Sequence, residues 1–403
     1  MRQVQGWLLA TTLAIVLRLA PAAAEVAPTP ALISAPHRAV AITEAGDAVL
    51  RDDGRVIGFR NQTGEAKEPV FIAGLDDIVD VAGSPEDGLG PRWPRGNAYW
   101  IALRRDGIVL QWDGHCAKEG IHNCSFSPAS VVPGLRNVVT IASSRGTHLA
   151  VDSDGRAWGW GVDSQGLITT QKVERDRSGR LTRRLIKSPV RIPVPAPLKA
   201  ITVGFPHSIG IDRTGNVWLW GGIDKPDFQP ERSDLVVDDK FIARKVLGIP
   251  PALSATAEGP TFVVTDGGEL WSWGTRNIAS ASPTSTREPH KIEGICQVKS
   301  VSSASSMVAA VCEDGTVYKM IFPGAPVYDC ESCGKVVAAE RWEVAPQVKD
   351  IKVLHLAYPS NSAVSMIDHF GSTFLAPSFG PGVFLPPRDK IIGPVNIDPQ
   401  VRK

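Results

Sequence analysis

The chain has 403 residues, 43% of them apolar, with 38 glycines and 32 prolines: ample material for a large core, and rich in turns. Its formal net charge of +1 supplies no global field, which argues against nucleic acid or a membrane surface as partner. Residues 1–24 read as a secretory leader: Arg2, an apolar run from Trp7 to Leu17, then Ala22-Ala23-Ala24 before Glu25. That run is too short to span a bilayer, and no later run approaches the roughly 20 residues a spanning helix needs. The sequence therefore predicts a secreted or periplasmic mature chain without a transmembrane segment.

From there the sequence repeats. A short extended segment enters a glycine turn and leaves as another extended segment, most clearly in His148-Leu-Ala-Val-Asp-Ser-Asp-Gly-Arg-Ala-Trp-Gly-Trp-Gly161 and Ser208-Ile-Gly-Ile-Asp-Arg-Thr-Gly-Asn-Val-Trp-Leu-Trp-Gly221. A third copy is Phe262-Val-Val-Thr-Asp-Gly-Gly-Glu-Leu-Trp-Ser-Trp-Gly274. Anchoring the copies on Gly46, Gly107, Gly155, Gly215, Gly268, Gly315 and Gly371 gives steps of 47 to 61 residues, one four-stranded unit each. A second signal keeps phase upstream: Pro69-Val-Phe-Ile-Ala-Gly-Leu75 then Ile78 and Val81, and Val132-Pro-Gly-Leu135 then Val138 and Ile141. It returns as Pro289-His-Lys-Ile-Glu-Gly-Ile295, followed by Val298 and Val301. The pattern predicts an all-β, seven-bladed β-propeller of four-stranded blades occupying 25–403 as one domain. Pro387-Arg-Asp-Lys-Ile-Ile-Gly393 repeats the upstream signal with no unit after it, so a C-terminal strand is expected to complete the first blade and close the ring.

The Gly-x-Val/Ala-Trp-x-Trp-Gly units resemble those of the regulator-of-chromosome-condensation repeat family, over about 31–397. His207 fits the family's histidine position and His148 sits one residue off. The resemblance implies a seven-bladed ring that presents loops to a partner. Members of that family include nuclear exchange factors that dock on chromatin, and the leader and neutral charge fit neither role, so a secreted, divergent member is expected.

Several conspicuous residues belong to the repeat. Trp158 and Trp160, Trp218 and Trp220, and Trp271 and Trp273 are spaced by two, so each pair shares a strand face and is expected to fill the gap between blades. Asp152-Ser-Asp-Gly155 has two of the oxygen ligands of a calcium loop and lacks the rest. Six cysteines in an exported chain are first read as disulfides, and the favoured pairs are Cys116–Cys124, Cys296–Cys312 and Cys330–Cys333. His115, Cys116, His122 and Cys124 offer a tetrahedral zinc set, at a spacing unlike a standard finger. No nucleophile elbow, phosphate loop or paired carboxylates stand out, so no catalytic, metal or cofactor-binding residues are assigned.

What does not repeat is the better guide to function. An insertion at about 170–188 reads as a basic hairpin turning at Ser178-Gly179, with Lys172, Arg175, Arg177, Arg180, Arg183, Arg184 and Lys187 against Glu174 and Asp176. It is a candidate clamp for a protein partner or an anionic glycan or surface, set against a plain charged edge hairpin. Longer loops at 84–97 and 223–242 accompany it. The expected function is a non-enzymatic, monomeric propeller binding a macromolecular partner through its loops. The alternative is a propeller enzyme or carbohydrate binder with carboxylates and histidines converging on the central channel.

Overall fold

The structure is a computed structural model that describes residues 38–43, 48–60, 68–83, 100–116, 124–163, 166–169, 184–222, 233–238, 241–258, 260–274, 288–304, 307–321, 341–345, 350–356, 363–370 and 372–377. Every regular element among them is a strand. The strands form antiparallel meanders: sheet 1 (39–71), sheet 2 (78–131), sheet 3 (138–192), sheet 4 (198–246), sheet 5 (252–291), sheet 6 (298–344) and sheet 7 (351–377). Sheets 1 to 6 have four strands each, except sheet 4 with five, and sheet 7 has three among the described residues. The first strands of successive sheets touch one another, which places them innermost, while fourth strands such as Ser130–Val131 are exposed at the rim. Six complete blades of a β-propeller are thus in place.

One device recurs at each step between blades. Residues one to four past the second strand's end make a tight turn whose third residue is a glycine with positive φ: Gly54, Gly107, Gly155, Gly215, Gly268 and Gly315, at 76° to 85°. Its carbonyl accepts the first-strand N–H of the next sheet. The pairs are Gly54 with Ile78 (2.9 Å), Gly107 with Val138 (3.0 Å), Gly155 with Leu198 (2.9 Å), Gly215 with Ala252 (2.9 Å), Gly268 with Val298 (2.8 Å) and Gly315 with Ile351 (3.2 Å). Glycine is needed for both its φ and this approach: a Cβ on Gly155 would lie 2.7 Å from Pro197 Cβ and 2.8 Å from its Cα. Gly155→Ala is expected to lower stability by about 1–3 kcal/mol. Gly134→Ala is the control, because it shares the positive φ but a Cβ there meets nothing within 4 Å. Equal losses in denaturant titrations of the two variants would remove close approach as the cause.

This geometry corrects the repeat's first anchor. The turn in sheet 1 is Asp52-Asp53-Gly54, where Gly54 N–H donates to Arg51 O as Gly155 N–H does to Asp152 O; Gly46 and Gly371 lie outside the described residues. Sheet 1 also draws all four strands from 39–71, so its outer edge needs no C-terminal strand. The predicted loop at 223–242 is partly β-structure: Ser233–Asp238 pairs with Phe241–Val246 and adds the fifth strand to sheet 4. The upstream signal is a fourth strand, a turn and the next first strand, as in Glu68–Phe71, Ala73-Gly74 and Ile78–Gly83.

The core lies between sheets. Trp112 packs with Leu50 and Val56 of sheet 1, Trp160 with Ile101 and Val109 of sheet 2, Trp220 with Leu149 and Val151 of sheet 3, and Trp273 with Ile209 and Leu219 of sheet 4. Each tryptophan fills the wedge toward the preceding blade, where large apolar area stabilises most.

Candidate functional site

The residues that look most like a site are scaffold. Asp152 accepts hydrogen bonds from the Asp154 and Arg156 amides (both 3.0 Å), from Arg156 Nε (2.9 Å) and from the Trp158 indole (3.1 Å). Asp212 does the same for Thr214, Asn216 and Trp218, the indole donating at 3.0 Å. These carboxylates organise their hairpins and hold the first tryptophan of each pair. Burial opposes the charged form of Asp212, yet the hydrogen bonds from Trp218, Asn216 and Thr214 outweigh it and bring the carboxyl down to about 2. His148 bonds Ser143 at 2.8 Å and His207 bonds Thr261 of sheet 5 at 2.7 Å. Burial pushes His207 down to about 3, so its imidazole is neutral at physiological pH and ties two sheets together.

The ends of the blades differ. In a meander, the first-to-second and third-to-fourth connections leave from one end, and the glycine turns occupy the other. Connections 84–99 in sheet 2 and 164–183 in sheet 3 therefore attach at the same end, whereas 222–232 leaves sheet 4 there and re-enters it at the other end, Ser233 lying opposite Val246. At that end, near the axis, sheets 3, 4 and 5 are bolted together. Ser144 Oγ and Arg145 Nη2 of sheet 3 each donate to the Glu258 carboxylate at 2.9 Å, across to the first connection of sheet 5. Arg145 also stands over the Phe205 ring of sheet 4, 5.2 Å from its centroid, and Pro206 bridges Glu258 through the backbone. A Cβ on Gly204 would lie 2.4 Å from Ala257 O, so these backbones meet closely. Burial raises the Glu258 pKa, opposed by the Arg145 charge and the hydrogen bonds from Ser144, Arg145 and the Phe205 amide. About one third of the Arg145 side chain is exposed, so the cluster presents a fixed cation on a rigid base.

Of the basic hairpin, Arg184 and Lys187 are exposed on Arg184–Ile192, the fourth strand of sheet 3. Lys172, Arg175, Arg177, Arg180 and Arg183 lie outside the described residues. The strand begins earlier than the sequence suggested. Arg184, Leu185 and Ile186 pair with Asp163, Val162 and Gly161, and Ile186 is buried in the core, so the end of the predicted arm belongs to the blade. Cys296 and Cys312 form a disulfide with Cα atoms 5.8 Å apart. Cys116 and Cys124 stand opposite each other in the small pair Gly114–Cys116 and Cys124–Phe126. Cys330 and Cys333, like His122, lie outside the described residues. Among the described residues no three His, Cys, Asp or Glu side chains gather as a metal set. The innermost strands hold one carboxylate, Asp80, which burial pushes up to about 6 against a hydrogen bond from the Val81 amide.

The bulge residues described below escaped the repeat reading, although their signal was present in it. Ile78 and Val81, Val138 and Ile141, and Val298 and Val301 are three apart, whereas an unbroken strand returns to the same face every two residues.

No protein-family model matches the chain. It is 24% identical over 229 residues to the human E3 ubiquitin-protein ligase HERC2 (Homo sapiens), a match covering 52% of this chain and 4% of that protein's length. Yeast RCC1 (Prp20), in its crystal structure with Kap60, superposes with a TM-score of 0.52 at 16% identity, over 81% of this chain and 78% of that one. Human WBSCR16 gives 0.52 at 14% identity, over 79% and 84%. The six complete blades and their repeated turn make this chain a β-propeller, and its fold is like that of yeast RCC1 and human WBSCR16.

Proposed function

We propose that this is an exported, non-enzymatic propeller of seven blades that binds a protein partner at the loop end of sheets 2 and 3. The observation that carries this reading is that two long, non-repeating connections, 84–99 and the one holding the basic arm, attach at the end where Glu258 locks sheets 3 to 5. Loops on a rigid scaffold are where binding is usually built. The yeast RCC1 structure with Kap60 bound supports a protein as the class of partner. Export is supported by the leader at 1–24 and by the Cys296–Cys312 bridge, to which we add Cys116–Cys124 and Cys330–Cys333.

Seven blades and ring closure belong to the same proposal. Ile367 of sheet 7 clusters with Ile42, Val49 and Ile57 of sheet 1, and the first strand of sheet 1 touches the middle strand of sheet 7. The copy of the upstream signal at 387–393 lies outside the described residues.

The test replaces 171–182 with a short Gly/Ser linker, sparing the strand that begins at Arg184. Affinity capture from the extracellular milieu compares this variant with the parent chain. The expected result is a protein retained by the parent and lost with the variant, whose stability stays within about 0.5 kcal/mol of the parent's. Identical capture by both would overturn the arm as the binding element.

A further inference from the structure

The same β-bulge occurs in all seven sheets, one residue into the first strand. The register skips Val40, Val79, Val139, Lys199, Leu253, Lys299 and Lys352 in turn, each between a pair of residues opposed to consecutive residues of the second strand. A bulge re-aims its extra side chain, and here it does so on the innermost strands, at the glycine-turn end. The seven positions therefore lie at the glycine-turn end of the innermost strands, opposite the end where 84–99 and 164–183 attach.

Their chemistry is selective. Val40, Val79, Val139 and Leu253 are 38%, 40%, 54% and 51% exposed, half of the large apolar residues this exposed among those described. The other three positions are all lysines, with Lys199 and Lys352 exposed and Lys299 half-exposed, and none pairs with a described carboxylate. A chain with 42 acidic residues places none at these positions. An exposed site selected only for solubility would not be aliphatic in four of seven blades. Valines occupy sheets 1 to 3 and lysines sheets 4, 6 and 7, so an apolar arc faces a cationic one.

We propose that this mouth is a second interface, which takes an extended peptide segment of a partner protein carrying apolar side chains next to carboxylates. Charge complementarity with the three lysines selects the carboxylates, and the exposed valines and leucine select the apolar side chains. Acidic residues of sheets 1 to 3 at this end are already engaged: Asp53 by Arg51, Asp77 by Arg105, Asp106 by Arg104. Asp266, Glu313 and Asp350 share the turn end of sheets 5 to 7 and repel a polyanion that gains no apolar contact.

The test is fluorescence polarisation of the full chain with three labelled synthetic decapeptides, alternating Leu/Glu, Leu/Lys and Ser/Glu. Only the Leu/Glu peptide is expected to bind, and raising salt should weaken it. Lys199→Gln with Lys299→Gln and Lys352→Gln, or Val79→Ser with Val139→Ser, should each weaken it about tenfold or more. All five positions are exposed or half-exposed, and an unchanged unfolding midpoint shows that each variant is folded. Absence of Leu/Glu binding up to about 1 mM overturns the proposal. So does equal binding of Ser/Glu or Leu/Lys, or affinity that neither variant set changes. Should either variant set unfold, the peptide comparison and salt series on the parent chain decide alone.

Discussion

Replacing Trp220 by alanine is expected to destabilise the protein by about 3–5 kcal/mol, the range for deleting a buried aromatic from a packed core. Trp220 is 1% exposed, and its indole N–H donates to Leu167 O at 2.8 Å. The ring packs against Leu149, Val151 and Ile168 of the preceding blade, so its removal opens a cavity between sheets and leaves the Leu167 carbonyl with only the Ser208 hydroxyl at 3.3 Å. Trp271→Ala should cost less, because Trp271 is only partly buried at the edge of its cluster. Chemical denaturation distinguishes the two, and a loss below about 1 kcal/mol at Trp220 would contradict the wedge role.

Asp212→Ala should cost about 2–3 kcal/mol at neutral pH, since it strips the acceptor from the Trp218 indole and the turn amides at once. The pH dependence has a definite sign. Asp212 titrates at about 2 in the folded chain, from an ordinary 3.8. As pH falls from about 4 to 2 the unfolded chain takes up a proton that the folded chain refuses, so the carboxylate's contribution is present above that window and lost through it. The gap between parent and Asp212→Ala should therefore be widest near neutrality and narrow toward pH 2. A gap constant over that whole range would show that the hydrogen-bonded carboxylate is not the cause.

Both residues were legible as parts of a repeat, and that was enough to assign the tryptophans to the space between blades. Spacing by two puts Trp218 and Trp220 on one face, and a pattern that follows the repeat belongs to the scaffold. The phase of the first unit was harder to read. Gly46 and Gly54 both sit in short polar segments flanked by apolar residues, and what separates them is the carbonyl that Gly54 offers to Ile78 in the next sheet. Sequence proximity cannot rank two candidate turns by a contact made 24 residues away.

The basic arm shows the same limit from the other side. Charge marked 170–188 as a unit, yet Ile186 pairs with Gly161 and buries itself, so the strand takes over where the run of charge continues. Exposed strand residues and loop residues carry the same charges, and only pairing distinguishes them. The Glu258 lock was invisible for a related reason. Ser144, Arg145, Phe205 and Glu258 are single residues in three different units, brought within hydrogen-bond reach by packing around an axis.

By itself the sequence determined the all-β repeat, the hairpin turns and the burial of most tryptophans, because these follow from local spacing and from the conformational freedom of glycine. Tertiary structure alone decided which end of the blades each loop leaves from, where the arm becomes strand, and that each bulge lies at the glycine-turn end of its first strand. Those are relations between units far apart in the chain. The three-residue step from Ile78 to Val81 stood in the sequence throughout, but only the pairing register showed it as the same bulge in the first strand of every sheet.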